Sequence, residues 1–122
     1  MGGRSQETTV LVVDDDESMR LLCRVNLELE GYHVLEAASV ESAKDVLERE
    51  PVRVILLDVH IGAGDGRALL RRLRETRPDI PVAFLTGSID AEELGRDEAD
   101  GVLMKPFKLE QLSRLVGRLA SR

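Results

Sequence analysis

A chain of 122 residues, 43% of them hydrophobic, has the length for one domain with a buried core and is short for two. A net charge of −6 argues against charge-driven contact with nucleic acid or a membrane surface. The aromatic residues are Tyr32, Phe84 and Phe107, too few for a nucleic-acid stacking platform, and the single Cys23 excludes an internal disulfide or a thiolate zinc site.

The run TVLVVD (9–14) is β-branched and continuously apolar, as in a strand buried on both faces. Residues 18–30 follow as a helix with Met19, Leu22, Cys23, Leu27 and Leu29 toward the core, stopped at Gly31. HVLEA (33–37) is a short strand. Ser39 caps a second helix reaching Arg49, which turns Ala43, Val46 and Leu47 inward and ends before Pro51. VRVILLD (52–58) is the next buried strand, and GAGDG (62–66) a loop of turn formers. A helix over 67–76 carries a solvated arginine-rich face, and VAFLT (82–86) is again a buried strand. A short helix over 90–98, a strand at 101–104 and an amphipathic helix built on Leu109, Leu112, Val116 and Leu119 complete the chain.

Five strands alternating with five helices imply an α/β fold with an open parallel sheet covered on both faces. In such sheets ligands bind beyond the carboxyl ends of the strands. Here those ends carry Asp14 and Asp15, Asp58, Thr86 and Lys105. Carboxylates gathered on one edge make a hard-cation site, most naturally for Mg2+. A lysine and a threonine hydroxyl beside them suit a phosphoryl group. His33 reads as strand-edge surface, Cys23 as a small core residue, and Asp16 and Glu17 as the acidic first turn of a helix.

The set LVVDDDES, VILLDVHIGAGDG, FLTG and LMKPF, each at a strand end and spread over residues 8–120, resembles the receiver domain of two-component response regulators. The resemblance implies a flavodoxin-like doubly wound (βα)5 sandwich with strand order 2-1-3-4-5, residues 1–7 and 121–122 being tails. It implies that Asp58 accepts a phosphoryl group from the phosphohistidine of a histidine kinase or phosphotransfer protein. Asp15 would bind Mg2+ directly, Asp14 through water, and the main-chain carbonyl of His60 would be a further ligand. Thr86 would turn its hydroxyl onto the phosphoryl oxygens and Lys105 would pair with them. The Lys105–Pro106 peptide would be cis. The protein would be a phosphoacceptor that assists its own phosphorylation and dephosphorylation, not a conventional enzyme. It would signal through an output domain or target protein and could pair as a homodimer.

Several positions depart from the family pattern. Gly62 stands where proline is common, and Gly62 and Gly64 should leave their loop more mobile. His60 replaces a frequent Asn or Met. Val102 occupies a usual aromatic switch position, and the stretch between Thr86 and Lys105 is short. The expected route of the signal is therefore a change in order or position of residues 87–100. Two other readings fit parts of the pattern. One is an interaction module that is never phosphorylated. The other is a haloacid-dehalogenase-type phosphohydrolase with Asp14 as nucleophile and Asp16 as acid/base. No stretch has the roughly 18 apolar residues of a membrane span. MGGRSQETT lacks the form of a secretory signal, so a cytoplasmic location is expected.

Overall fold

The computed structural model describes residues 8–87 and 99–121. Five parallel strands form the main sheet: β1 (Thr9–Val13), β2 (His33–Ala37), β3 (Val54–Asp58), β6 (Val82–Thr86) and β7 (Gly101–Met104). Their order is β2-β1-β3-β6-β7, the 2-1-3-4-5 order expected for the five core strands. The remaining two strands, β4 (His60–Ile61) and β5 (Gly64–Asp65), pair antiparallel in the loop after β3. The helices among the described residues are α1 (Glu17–Leu29), α2 (Val40–Arg49), α3 (Gly66–Thr76) and α4 (Leu109–Ala120). The short helix read over 90–98 lies outside the described residues.

Strand alternation sorts the core into two halves. Leu11, Val13, Ile55, Leu57, Val82 and Phe84 face one side, where α2 supplies Ala43 and Leu47 and α3 supplies Leu69, Leu70 and Leu73. Val10, Val12, Val54, Leu56, Ala83 and Leu85 face the other, covered by Cys23 and Leu27 of α1 and Leu112, Leu115, Val116 and Leu119 of α4. Central strands with side chains buried on both faces explain the unbroken apolar runs of β1, β3 and β6.

Local chemistry sets the helix starts. The Asp16 carboxylate accepts the N–H groups of Ser18 and Met19 and so caps α1, a more specific role than membership of an acidic first turn. Ser39 caps α2 through the Ser42 N–H, and Asp65 caps α3 through the Arg67 N–H. Gly31, at φ 96°, ends α1 in the left-handed region that glycine tolerates.

Two faces differ from their sequence reading: Leu109, at the start of α4, is 43% exposed, and α1 departs further. Met19, Cys23 and Leu27 do follow one stripe at four-residue spacing, but Leu22 is 39% and Leu29 80% exposed. A helix turns about 100° per residue, so Leu29 stands some 200° from Leu27 and cannot share its face. Smaller shifts occur at the ends: β1 stops at Val13, α1 begins at Glu17, and β3 begins at Val54, leaving Val52 buried ahead of it. His33 is exposed and Cys23 fully buried, as expected.

Candidate functional site

The registers place Val13 opposite Leu57, Asp58 opposite Leu85, and Thr86 opposite Met104. Parallel strands aligned this way bring all their carboxyl ends to one edge, and the five expected residues meet there. Asp14 follows β1 and is 0% exposed, Asp58 ends β3, Thr86 ends β6 and is 1% exposed, and Lys105 follows β7. Oxygens of Asp14, Asp15 and Asp58 all lie within 4.8 Å of one another.

Asp14 is the anchor of this cluster. Its N–H donates to the Ala37 carbonyl of β2 at 3.0 Å, its Oδ1 accepts the Asp16 N–H at 2.9 Å, and its Oδ2 accepts Lys105 Nζ at 2.8 Å. Lys105 Nζ also lies 3.6 Å from Asp58 Oδ2, so one ammonium spans two carboxylates. Its backbone N–H donates to the Thr86 carbonyl at 2.7 Å, which fixes the turn where the Lys105–Pro106 peptide is cis. Asp15 is exposed and accepts the Gly62 N–H at 3.1 Å. The His60 N–H lies 3.4 Å from Asp58 Oδ1.

The electrostatics follow from the crowding. Burial, then the charge of Asp14, raise the pKa of Asp58; Lys105 and the His60 N–H work the other way. Burial disfavours the Lys105 ammonium, but its hydrogen bond to Asp14 and the charges of Asp14 and Asp58 outweigh this, and its pKa is raised. Three carboxylates against one ammonium leave the cluster with an excess of two formal negative charges. All-oxygen donors with that excess fit a hard divalent cation.

Two glycines shape the site in ways that turn chemistry alone does not reveal. A Cβ on Gly66 would overlap the Asp58 carbonyl, so α3 can start against the end of β3 only with glycine there. Gly62, at φ 59°, turns the β4–β5 hairpin so that its N–H reaches Asp15. Both belong to the GAGDG motif, but the close approach has no signature in one sequence. The phosphohydrolase reading fits poorly: Asp14 is buried with both oxygens engaged, and Asp16 is spent on the helix cap. A cleft of about 710 Å³ between α2, α3 and the hairpin, lined by Val40, Lys44, Ala68 and Arg72 among others, contains none of the five strand-end residues.

Comparison with known proteins agrees with this arrangement. Residues 10–117 match the model of the response regulator receiver domain. The chain is 37% identical over 123 aligned residues to sensor kinase CckA of Brucella abortus, covering 97% of this chain and 13% of that protein. It is 38% identical over 106 residues to response regulator MprA of Mycolicibacterium vanbaalenii, covering 84% of this chain and 46% of that one. A response regulator crystal structure from Thermotoga maritima superposes with a TM-score of 0.85 at 31% identity, covering 95% of this chain and 99% of that one. The chain spans half or less of these curated relatives. With the sheet order, the acidic cluster and the family match in agreement, the chain belongs to the response regulator receiver domains of two-component signalling.

Proposed function

We propose that residues 8–120 form a receiver unit in which Asp58 takes a phosphoryl group from the phosphohistidine of a histidine kinase or phosphotransfer protein. The observation that carries this is Lys105 spanning Asp14 and Asp58 beside an excess of negative charge. In the transfer, an Asp58 oxygen forms the new P–O bond as the P–N bond breaks, and the electron pair returns to the imidazole. A carboxylate is repelled by an anionic donor, so the site needs positive charge before it can act. Lys105 supplies part of it and holds the Asp58 carboxylate against the pull of burial.

Asp15, Asp58 and the main-chain carbonyl of His60 would hold Mg2+ directly, and Asp14 through water. Asp14 suits the indirect role because Lys105 and the Asp16 N–H already occupy its oxygens. Bound there, the cation would screen the approaching phosphoryl oxygens from the carboxylates. The Thr86 hydroxyl would donate to a phosphoryl oxygen and Lys105 would pair with another. The same groups would assist both gain and loss of phosphate. Output would pass to an attached domain or target protein, or through a homodimer, in the cytoplasm, with residues 87–100 carrying the change; 88–98 lie outside the described residues.

Treatment with acetyl phosphate and Mg2+ followed by a Phos-tag gel and mass spectrometry tests the assignment. Phosphate is expected on Asp58, absent in Asp58→Asn and retained in Asp65→Asn. Label on Asp14 or Asp15 would overturn it, and no label on any residue would favour a receiver-like interaction module.

A further inference from the structure

Arg20 sits in the first turns of α1, and its guanidinium works in two directions. Nη1 donates to the main-chain carbonyl of Asp14 at 2.8 Å, and Nε donates to Glu36 Oε1 on β2 at 3.0 Å. Its side chain is only 15% exposed, so these contacts are held inside the fold. Glu36 is itself braced, its Oε2 accepting Arg24 Nη1 at 3.0 Å. Arg24 in turn meets Glu28 one helical turn further on.

The carbonyl that Arg20 grips belongs to the peptide joining Asp14 to Asp15. On its amino side Asp14 is fixed by β2, through the Ala37 carbonyl. Beyond Val13 the β1 ladder ends, and Asp15 leaves the sheet as an exposed residue. The plane of the 14–15 peptide therefore sets the direction in which Asp15 leaves the sheet, its carboxylate being met at the far end by the Gly62 N–H, and α1 reaches that plane through Arg20.

We infer that Arg20 is a positioning residue for the cation-binding carboxylates, fixing the Asp14–Asp15 peptide with Glu36 as its brace. The inference rests on the Mg2+ reading above. It also resolves an oddity of charge. A guanidinium next to a cluster built for a cation opposes cation binding by Coulomb's law. Glu36 offsets that charge on β2, leaving the directed hydrogen bond as the residue's net contribution. Arginine suits this double duty because its planar fork donates along separate lines, whereas a lysine head is a single point.

For Arg20→Met position and charge give opposite expectations, which makes the inference testable without any measurement of phosphoryl transfer. Mg2+ affinity is measured by calorimetry on the full chain, well below the melting temperature, for wild type, Arg20→Met, Arg20→Lys and Glu36→Gln. Arg71→Gln, an exposed arginine on α3, serves as the charge control. Loss of positioning weakens Mg2+ binding about three- to tenfold in Arg20→Met, the scale of one directed hydrogen bond, despite the more negative site. Arg20→Lys should recover part of the loss, and Glu36→Gln, which keeps the arginine, should weaken binding at least twofold. The Arg71→Gln affinity should match wild type. Should Arg20→Met fail to fold, the charge-conserving Arg20→Lys decides, and wild-type affinity in it overturns the inference. Binding in Arg20→Met as tight as wild type, or tighter, overturns it while leaving the Mg2+ reading intact. A wild-type chain that binds no Mg2+ overturns both.

Discussion

Asp58 shows how a single side chain can be costly to the fold and central to the proposed site. Its pKa is raised by burial and by Asp14, so the folded chain holds the Asp58 proton more tightly than the unfolded chain does. By linkage, this contribution favours folding below the ordinary carboxylate range and is lost as pH rises through the raised value. At about pH 7 the ionised Asp58 is a net cost, and Asp58→Asn should stabilise the chain and raise its melting temperature. Lys105 keeps its shorter contact with Asp14 in that variant, so little is lost in exchange. Melting curves across the acid range check the sign: the gain should shrink as pH falls and wild-type Asp58 becomes protonated. Cys23 gives a second expectation at this scale. Burial, then the charge of Asp14, push its thiol up to about 12. The native chain should therefore leave a thiol reagent such as DTNB unreacted at mildly alkaline pH and react fully in denaturant. Rapid native labelling would contradict the packing of α1.

At the scale of elements, the loop after β3 matters most. Gly66 lets α3 begin against the Asp58 carbonyl, and the overlap that a Cβ would create involves backbone, which cannot rotate away. Gly66→Ala should destabilise the chain by about 2 kcal/mol, as overpacking does, and slow phosphoryl incorporation by displacing Asp58. Urea denaturation and acetyl phosphate labelling measure the two effects separately; a neutral Gly66→Ala would mean that α3 shifts freely. This loop also marks the boundary of what the sequence reveals. Strand runs such as VILLD were legible because burial on both faces demands continuous apolar residues, and strand-end Asp14, Asp58, Thr86 and Lys105 were legible because topology puts strand ends together. The β4–β5 pairing was not, since two-residue strands leave no periodicity to read. Leu22 and Leu29 were misassigned because apolar character was counted without following the helical angle. Arg20 was missed because its partners, a main-chain carbonyl and a residue on another strand, are set by tertiary placement alone.

For the whole molecule, the proposed cation binding would be linked to folding. A ligand that binds only the folded state stabilises it by about 2.7 kcal/mol at one hundred times its dissociation constant. Millimolar Mg2+ should raise the melting temperature and EDTA should reverse the rise. Asp15→Asn should abolish most of that response by removing one of the three clustered carboxylates. An Asp15→Asn chain with an undiminished Mg2+ shift would place the cation elsewhere.

The strand order has a consequence for how the molecule comes into being. No two adjacent strands of the main sheet can be closed by a tight turn, because every pairing is parallel and needs a crossover. Contacts are consequently distant along the chain, the kind of topology that folds slowly. During synthesis from the amino end, Asp14, Asp15 and Asp58 emerge long before Lys105, the ammonium that spans two of them. Those carboxylates meet only when β1 and β3 pair, and from then until β7 joins the sheet their repulsion lacks its internal counter-charge. A divalent cation held at the paired β1–β3 edge would offset that repulsion, so the ion proposed for signalling would also favour the late closure of the sheet.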